Sequence, residues 1–228
     1  MKILSWNCRG LGNPQTIQDL YLLVKDKKPK IVFLMETKLL TKKFDAIKRK
    51  LGCAGCFVVD ARGNSGGLAL LWNQEVNLEV LNFTQHHISV WVMNDDGIRK
   101  WLLTGFYGHP EVSKRNAVWG LLSSLKPSRE QGWCVIGDFN EIITQSEKME
   151  GFRQCLENCN LYDLGWKTMK YTWTNQHSDD TFTKERLDRA VANPIWLEVF
   201  KERVVETLTA RQSDHKPILL TLKETVQV

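Results

Sequence analysis

Apolar runs that end abruptly in carboxylates, amides or imidazoles constrain this chain more than any other feature. Trp133-Cys134-Val135-Ile136 runs straight into Gly137-Asp138-Phe139-Asn140, and Ser213-Asp214-His215 stands just before Ile218-Leu219-Leu220. Ile31-Val32-Phe33-Leu34-Met35 ends in Glu36, and the opening strand Lys2 to Cys8 carries Asn7 near its close. Asp188 sits in Arg186-Leu187-Asp188-Arg189, just ahead of Ala190 and Val191. A carboxylate at the end of a buried strand costs free energy unless a metal, a proton or a hydrogen-bonding partner offsets it. Functional sites are commonly assembled from strand ends and loops in this way. One such run is a weak sign; several together are a strong one.

The rest of the chain reads as strands with a few helices between them. Gln15 to Lys27 is a helix with Asn13 as its cap and Pro14 at its first position. Lys30 to Glu36 is a second strand, and Lys42 to Leu51 a helix whose basic residues form a solvated face. Successive strands follow at 56–60, 67–72, 76–83, 87–94 and 99–107, with Asp95-Asp96-Gly97 as a hairpin turn. Ser113 to Leu125, Gly151 to Cys159 and Ile195 to Phe200 read as helices. Cys134 to Asp138, Tyr171 to Asn175, Arg186 to Ala192, Arg203 to Thr207 and Pro217 to Leu222 read as strands. Between Trp173 and Arg186 lies a polar stretch with a Ser178-Asp179-Asp180 turn signal, an exposed hairpin. No linker, repeat or low-complexity segment divides the chain. The expectation is one domain over residues 1–228, an α+β or layered α/β/β/α sandwich: two sheets packed together with helices outside.

Composition excludes little. A net charge of +5 permits a polyanionic partner without demanding one. No apolar run approaches the roughly 18 residues needed to cross a membrane. Polarity arrives at Ser5 and Asn7, too soon for a signal-peptide core, so the chain reads as intracellular with no membrane partner. Cys53-x-x-Cys56 and Cys155-x-x-x-Cys159 invite a zinc reading. The pairs are far apart in sequence, and the second has helical spacing in an amphipathic stretch. Reduced, half-buried thiols are the better reading.

The chemistry suggested by the strand ends is metal-assisted. Hard divalent cations prefer carboxylate and amide oxygens, and magnesium keeps several waters. Asn7 and Glu36 from neighbouring strand ends could hold one magnesium loosely and leave room for a phosphate. His215 has Asp214 beside it, and Asp188 is a good partner to fix its tautomer and raise its basicity. No Gly-x-Ser-x-Gly elbow, catalytic-cysteine signature, Walker loop or dinucleotide-binding glycine motif is present.

Six motifs in order resemble the endonuclease/exonuclease/phosphatase superfamily, which includes apurinic/apyrimidinic endonucleases and deoxyribonuclease I. They are Ser5-Trp6-Asn7, Met35-Glu36-Thr37, Phe106-Tyr107-Gly108, Gly137-Asp138-Phe139-Asn140, Arg186-Leu187-Asp188 and Ser213-Asp214-His215. Within that superfamily the chain looks most like the endonuclease domain of plant LINE-type, non-LTR retrotransposons. The run Ile3 to Gly12, Tyr107-Gly108-His109-Pro110 and Tyr171-Thr172-Trp173-Thr174-Asn175 carry this closer likeness.

The resemblance implies a four-layered, deoxyribonuclease I-like sandwich and magnesium-dependent hydrolysis of a DNA phosphodiester, with manganese as an alternative ion. It implies that Glu36 binds the metal, with Asn7 beside it and Asp214 nearby. Asp138 would orient or deprotonate the attacking water or serve the leaving group. Asn140 and Tyr107 would hold the phosphate, and His215, paired with Asp188, would stabilise charge on the phosphorane. Arg9, His109, Thr172 and Trp173 are the expected contacts to double-stranded DNA. Many relatives carry Asn three residues after the tyrosine; here that place is Pro110, which leaves His109 to supply the contact or the site to do without it. The same likeness implies a reverse transcriptase domain in cis, primed by the nick's 3′-hydroxyl, action in the nucleus, and a monomeric isolated domain. Two other readings stand beside it: a phosphodiesterase or phosphatase acting on a small molecule or lipid, and a decayed domain that only binds nucleic acid.

Overall fold

Period-two side-chain alternation decides the architecture. The computed structural model describes residues 1–63, 65–93, 99–142 and 150–223. One six-stranded sheet contains β1 (Lys2–Asn7), β2 (Ile31–Met35), β3 (Gly55–Val59) and β4 (Leu68–Trp72), together with β13 (Arg203–Thr207) and β14 (Ile218–Leu222). Their order across the sheet is β13-β14-β1-β2-β4-β3. The second contains β5 (Leu78–Thr84), β6 (His87–Met93), β7 (Arg99–Tyr107) and β8 (Trp133–Asp138), together with β12 (Asp188–Ala192) and β9 (Tyr162–Asp163). Its order is β5-β6-β7-β8-β12-β9. A two-stranded hairpin, β10 (Trp173–Thr174) and β11 (Lys184–Glu185), stands apart from both.

Alternate residues of each strand face opposite layers. Ile3, Phe33, Met35 and Leu70 of the first sheet pack with Val90, Leu103, Ile136 and Ala190 of the second in one central core. Their neighbours Leu4, Trp6, Val32 and Leu34 turn outward, onto α1 (Pro14–Lys27) and α2 (Phe44–Leu51). On the far side Leu102, Phe106, Trp133 and Val135 meet α3 (Arg115–Ser124) and α4 (Glu150–Cys159). Strands covered on both faces must be apolar throughout, which is why the sequence shows continuous runs. The result is the expected α/β/β/α sandwich.

Local signals set the helices. Asn13 Oδ1 accepts from the Gln15 amide at 2.9 Å, and Pro14 opens α1. α1 is the crossover that makes β1 and β2 parallel, and α3 does the same for β7 and β8. α5 (Pro194–Val199) repeats the capping device: Asn193 Oδ1 accepts from the Trp196 amide at 3.0 Å. The sheets pack closely at Gly105, where a Cβ would collide with the Phe33 ring.

Two expectations differ in detail. The strand expected over 171–175 shrinks to the foot of the hairpin, and β9, two residues long, was not foreseen. The Asp95-Asp96-Gly97 turn lies outside the described residues. Among the described residues no helix is long and apolar enough to cross a membrane.

Candidate active site

The alternation that fills the core also delivers the polar residues to one open end of it. β1 and β2 are parallel, so Asn7 and the residue after Met35, Glu36, leave the sheet at the same edge. β7 and β8 are parallel and pair Tyr107 with Asp138. β12 runs the other way, and its first residue, Asp188, lies opposite Asp138. β14 is antiparallel to β1, which brings the preceding Asp214 and His215 to the same end. Ends of six strands thus meet at one mouth between the two sheets. The sheets are tied there by the Asn7 amide, whose Nδ2 donates to Asp138 Oδ2 at 2.9 Å. The Asp138 backbone amide crosses the other way to Met35 Sδ at 3.2 Å.

Glycines permit this closeness. A Cβ on Gly137 would strike the Phe106 carbonyl, and one on Gly108 the Phe139 carbonyl. Three site residues, Arg9, Glu36 and Asn140, hold φ of 54°, 49° and 51°. Such conformations cost roughly 1–3 kcal/mol each for non-glycine residues and persist where the surroundings over-determine them.

At the bottom of the mouth lies a buried trio. His215 Nδ1 is 3.0 Å from Asp188 Oδ2 and 3.7 Å from Asp138 Oδ2. All three residues are at most 1% exposed. Burial pushes the imidazole pKa down, but Asp138 and Asp188 outweigh it and raise it to about 9. Burial raises the Asp138 carboxyl to about 6, against the pull of His215. Each of the two therefore favours the charged form of the other. Asp138 is held further by the Asn140 amide, which donates to its Oδ1 at 2.8 Å. The Asn140 side chain donates to the Gly108 carbonyl at 2.9 Å, which fixes its amide plane at the rim.

Supporting residues were not foreseen as such. Trp6 Nε1 donates to the His215 carbonyl at 3.0 Å. Ser213 Oγ donates to the Asn7 carbonyl at 2.8 Å and accepts from the His215 amide at 3.1 Å. Their presence inside the Ser5-Trp6-Asn7 and Ser213-Asp214-His215 motifs was the available signal.

A second group lies nearer to solvent. Tyr107 Oη donates to Glu36 Oε1 at 2.5 Å. Burial and Glu36 both push the phenol pKa up, so it stays a donor. Arg9 forks onto Asp214, Nε to Oδ1 and Nη2 to Oδ2, each at 2.9 Å. Its Nη1 also reaches Glu36 Oε1 at 3.2 Å. Burial pushes the Asp214 carboxyl up, but Arg9, His215 and Trp173 together hold it below the usual carboxylate range. Two carboxylates thus converge on one positive centre, with the Asn7 amide oxygen accepting from the Arg9 backbone at 3.3 Å beside them. This oxygen-rich, solvent-reached donor set fits a hard divalent ion. The buried trio also brings three ligand atoms within 4.8 Å of one another. It fits an ion less well, because its imidazole is already hydrogen-bonded to Asp188.

The expected DNA contacts are placed unequally. Arg9 lies at the rim but is engaged with carboxylates. Trp173 Nε1 donates to Asp214 Oδ2 at 2.9 Å and the ring is half-buried. His109 lies at the rim beside His86, its Nδ1 accepting from the Glu111 amide at 3.0 Å. Thr172 is 1% exposed, and its hydroxyl accepts from the Leu187 and Asp188 amides at 3.1 and 3.0 Å. Its side chain has no surface left for a direct contact and instead anchors Asp188. The six thiols are unpaired, and the two cysteine pairs lie in opposite outer layers, so they do not assemble a zinc site.

The model of the endonuclease/exonuclease/phosphatase family matches residues 4–215. No curated protein sequence matches the chain. Among solved structures, the 3′-5′ exonuclease NExo of Neisseria meningitidis superposes with a TM-score of 0.73 at 20% identity, covering 97% of this chain and 99% of its own. The catalytic domain of Xenopus laevis APE2 gives 0.72 at 16%, covering 98% and 92%. The endonuclease domain of TRAS1, a telomere-specific non-LTR retrotransposon, gives 0.69 at 12%, covering 97% and 98%. At these identities the structures establish the deoxyribonuclease I-like fold.

Proposed function

The chain belongs to the endonuclease/exonuclease/phosphatase family, and from that premise we propose that it is a magnesium-dependent endonuclease that nicks double-stranded DNA. The observation that carries the reading is the buried Asp138–His215–Asp188 group opening onto the Glu36–Asp214 pair at a single mouth. A decayed site would have no reason to keep Asp138, Asp188 and His215 buried and hydrogen-bonded together, because each is costly to bury without its partners.

In this reading Glu36 and Asp214, with Asn7 beside them, hold the ion. The chemistry a magnesium or manganese ion supplies when bound there is polarisation of a phosphate oxygen. Asp138, ionised above about pH 6, orients the attacking water and takes its proton. Its two oxygens are fixed by Asn7 and by the Asn140 amide, so no reorganisation is needed as the reaction starts. Asp188 holds Nδ1 of His215, which leaves Nε2 to donate to the phosphate as negative charge develops. Asn140 and Tyr107 at the rim orient the phosphate. His109 and Trp173 flank the DNA, and the hairpin 175–183 continues from the strand that carries Trp173.

The fuller proposal is a mobile-element nuclease: the nick leaves a 3′-hydroxyl that primes a reverse transcriptase carried in cis, on chromosomal DNA in the nucleus, by a domain that is monomeric in isolation. The similarity to the TRAS1 endonuclease domain supports this, together with the sequence likeness over residues 3–12 and 171–175. A supercoiled plasmid incubated with the protein and magnesium, then with chelator, tests the activity. Open-circle product only with metal is the expected result. No cleavage beside release of phosphate from a phosphomonoester would instead favour a phosphatase on this scaffold.

A further inference from the structure

Arg9 stands where a positive charge is needed and where the proposed ion must also go. Its guanidinium forks onto Asp214 with two bonds of 2.9 Å and reaches both oxygens of Glu36 at 3.2 and 3.4 Å. Lys38 Nζ also pairs with Glu36 Oε2, at 3.8 Å, a longer contact than either that Arg9 makes to that carboxylate. Tyr107 and Trp173 donate to the same two carboxylates, so both acids are oriented toward the guanidinium. The side chain of Arg9 is 39% exposed, against 9% for Glu36 and 23% for Asp214. The cation is therefore the outermost member of the group and has a path out to solvent that the acids lack. Its backbone is held at φ 54° just before Gly10, so the side chain is aimed back across the mouth. An aligned fork on a carboxylate is among the strongest polar contacts available, yet this one is partly open to water, where screening weakens it.

We infer that Arg9 is a built-in counter-cation for Glu36 and Asp214, and that a divalent ion must displace its guanidinium to bind. This rests on the metal assignment made above and adds a competitor to it. Without metal, Arg9 keeps two facing carboxylates from repelling each other. With metal, the released guanidinium stands at the rim, facing the incoming phosphodiester. The consequence is a site that binds free ions weakly and gains affinity when a polyanion is there to take the displaced arginine.

Direct Mn2+ titration of the DNA-free protein, read by electron paramagnetic resonance, tests this without any activity measurement. Arg9→Gln should bind Mn2+ on the order of tenfold more tightly than wild type, the effect of losing roughly one charged contact from the competing state. Arg9→Lys, which keeps the charge but cannot fork, should fall between the two. In thermal melts Arg9→Gln should unfold below wild type without metal and gain more from Mg2+. Equal or weaker Mn2+ binding by both Arg9 variants would overturn the inference while leaving the metal site in place, provided Glu36→Gln abolishes binding. Unchanged Mn2+ binding in Glu36→Gln would overturn the metal assignment itself, and the inference with it.

Discussion

His215 Nδ1 lies 3.0 Å from Asp188 Oδ2, with both residues 1% exposed. Asp188 opens β12 of one sheet and His215 lies on the segment leading into β14 of the other, so the bond links the layers as well as fixing the imidazole. If Asp188 acts through His215, Asp188→Asn should cost much of what His215→Ala costs in nicking rate. The double variant should then lose little more than either, since residues acting as a unit are non-additive. Fully multiplicative losses would show two independent roles.

The charge state of His215 predicts a stability profile. Its pKa is raised from 6.5 to about 9, so the native state holds a proton that the unfolded chain releases between those values. The sign follows: this contribution is complete below about pH 6.5 and is lost as pH rises through about 9. Asp138, raised from 3.8 to about 6, favours the native state most at low pH, and its effect is spent before that window opens. Urea unfolding at pH 6.5 and 9.5 should show wild type losing more stability than His215→Gln. Parallel losses would mean that the imidazole is neutral in the native state.

Thr172 gives a way to separate anchoring from DNA contact. Thr172→Val keeps the shape and removes the acceptor of two buried amides, which should destabilise the fold by about 1–3 kcal/mol. Nicking should slow because Asp188 loses its anchor, while the salt dependence of DNA binding stays unchanged. A flatter salt dependence would restore a direct contact for this residue.

How much of this was legible depended on the range of each interaction. Apolar runs such as Ile31 to Met35 and Trp133 to Ile136 announce strands because both faces are covered, and the residues just past them are those that meet at the mouth. Asp188 and His215 were paired from their motif context alone. The Arg9 fork was not foreseen, because its partners are 27 and 205 residues away and nothing local points to them. The burial of Thr172 is illegible for a related reason. Its neighbour Trp173 reaches the mouth, but bonds from the Leu187 and Asp188 amides, distant in sequence, hold Thr172 in the interior. β9 escaped notice because two residues, Tyr162 and Asp163, carry no readable alternation.

The hairpin 175–183 predicts a change in choice without a change in chemistry. It is exposed, closes by Asp179 accepting from the Thr181 amide at 2.9 Å, and carries Phe182 at 52% exposure. Its acidic pair Asp179-Asp180 disfavours a course along phosphates, so a probing role would read deformable steps. Shortening residues 176–184 should leave nicking active and flatten its sequence preference. An unchanged map of nick positions on one plasmid would move specificity to Arg9 and His109.

The most direct test combines metal, residue and product end. Supercoiled plasmid is treated with wild type, Glu36→Ala or His215→Ala in magnesium, and the nick is then offered directly to a DNA polymerase. Wild type should give nicks that extend without any prior end treatment, and chelator should abolish them. Each variant should fold normally and lose about 10² or more in rate. Nicks that persist in chelator, that form at wild-type rate in either variant, or that cannot be extended would contradict a metal-assisted hydrolysis leaving a 3′-hydroxyl.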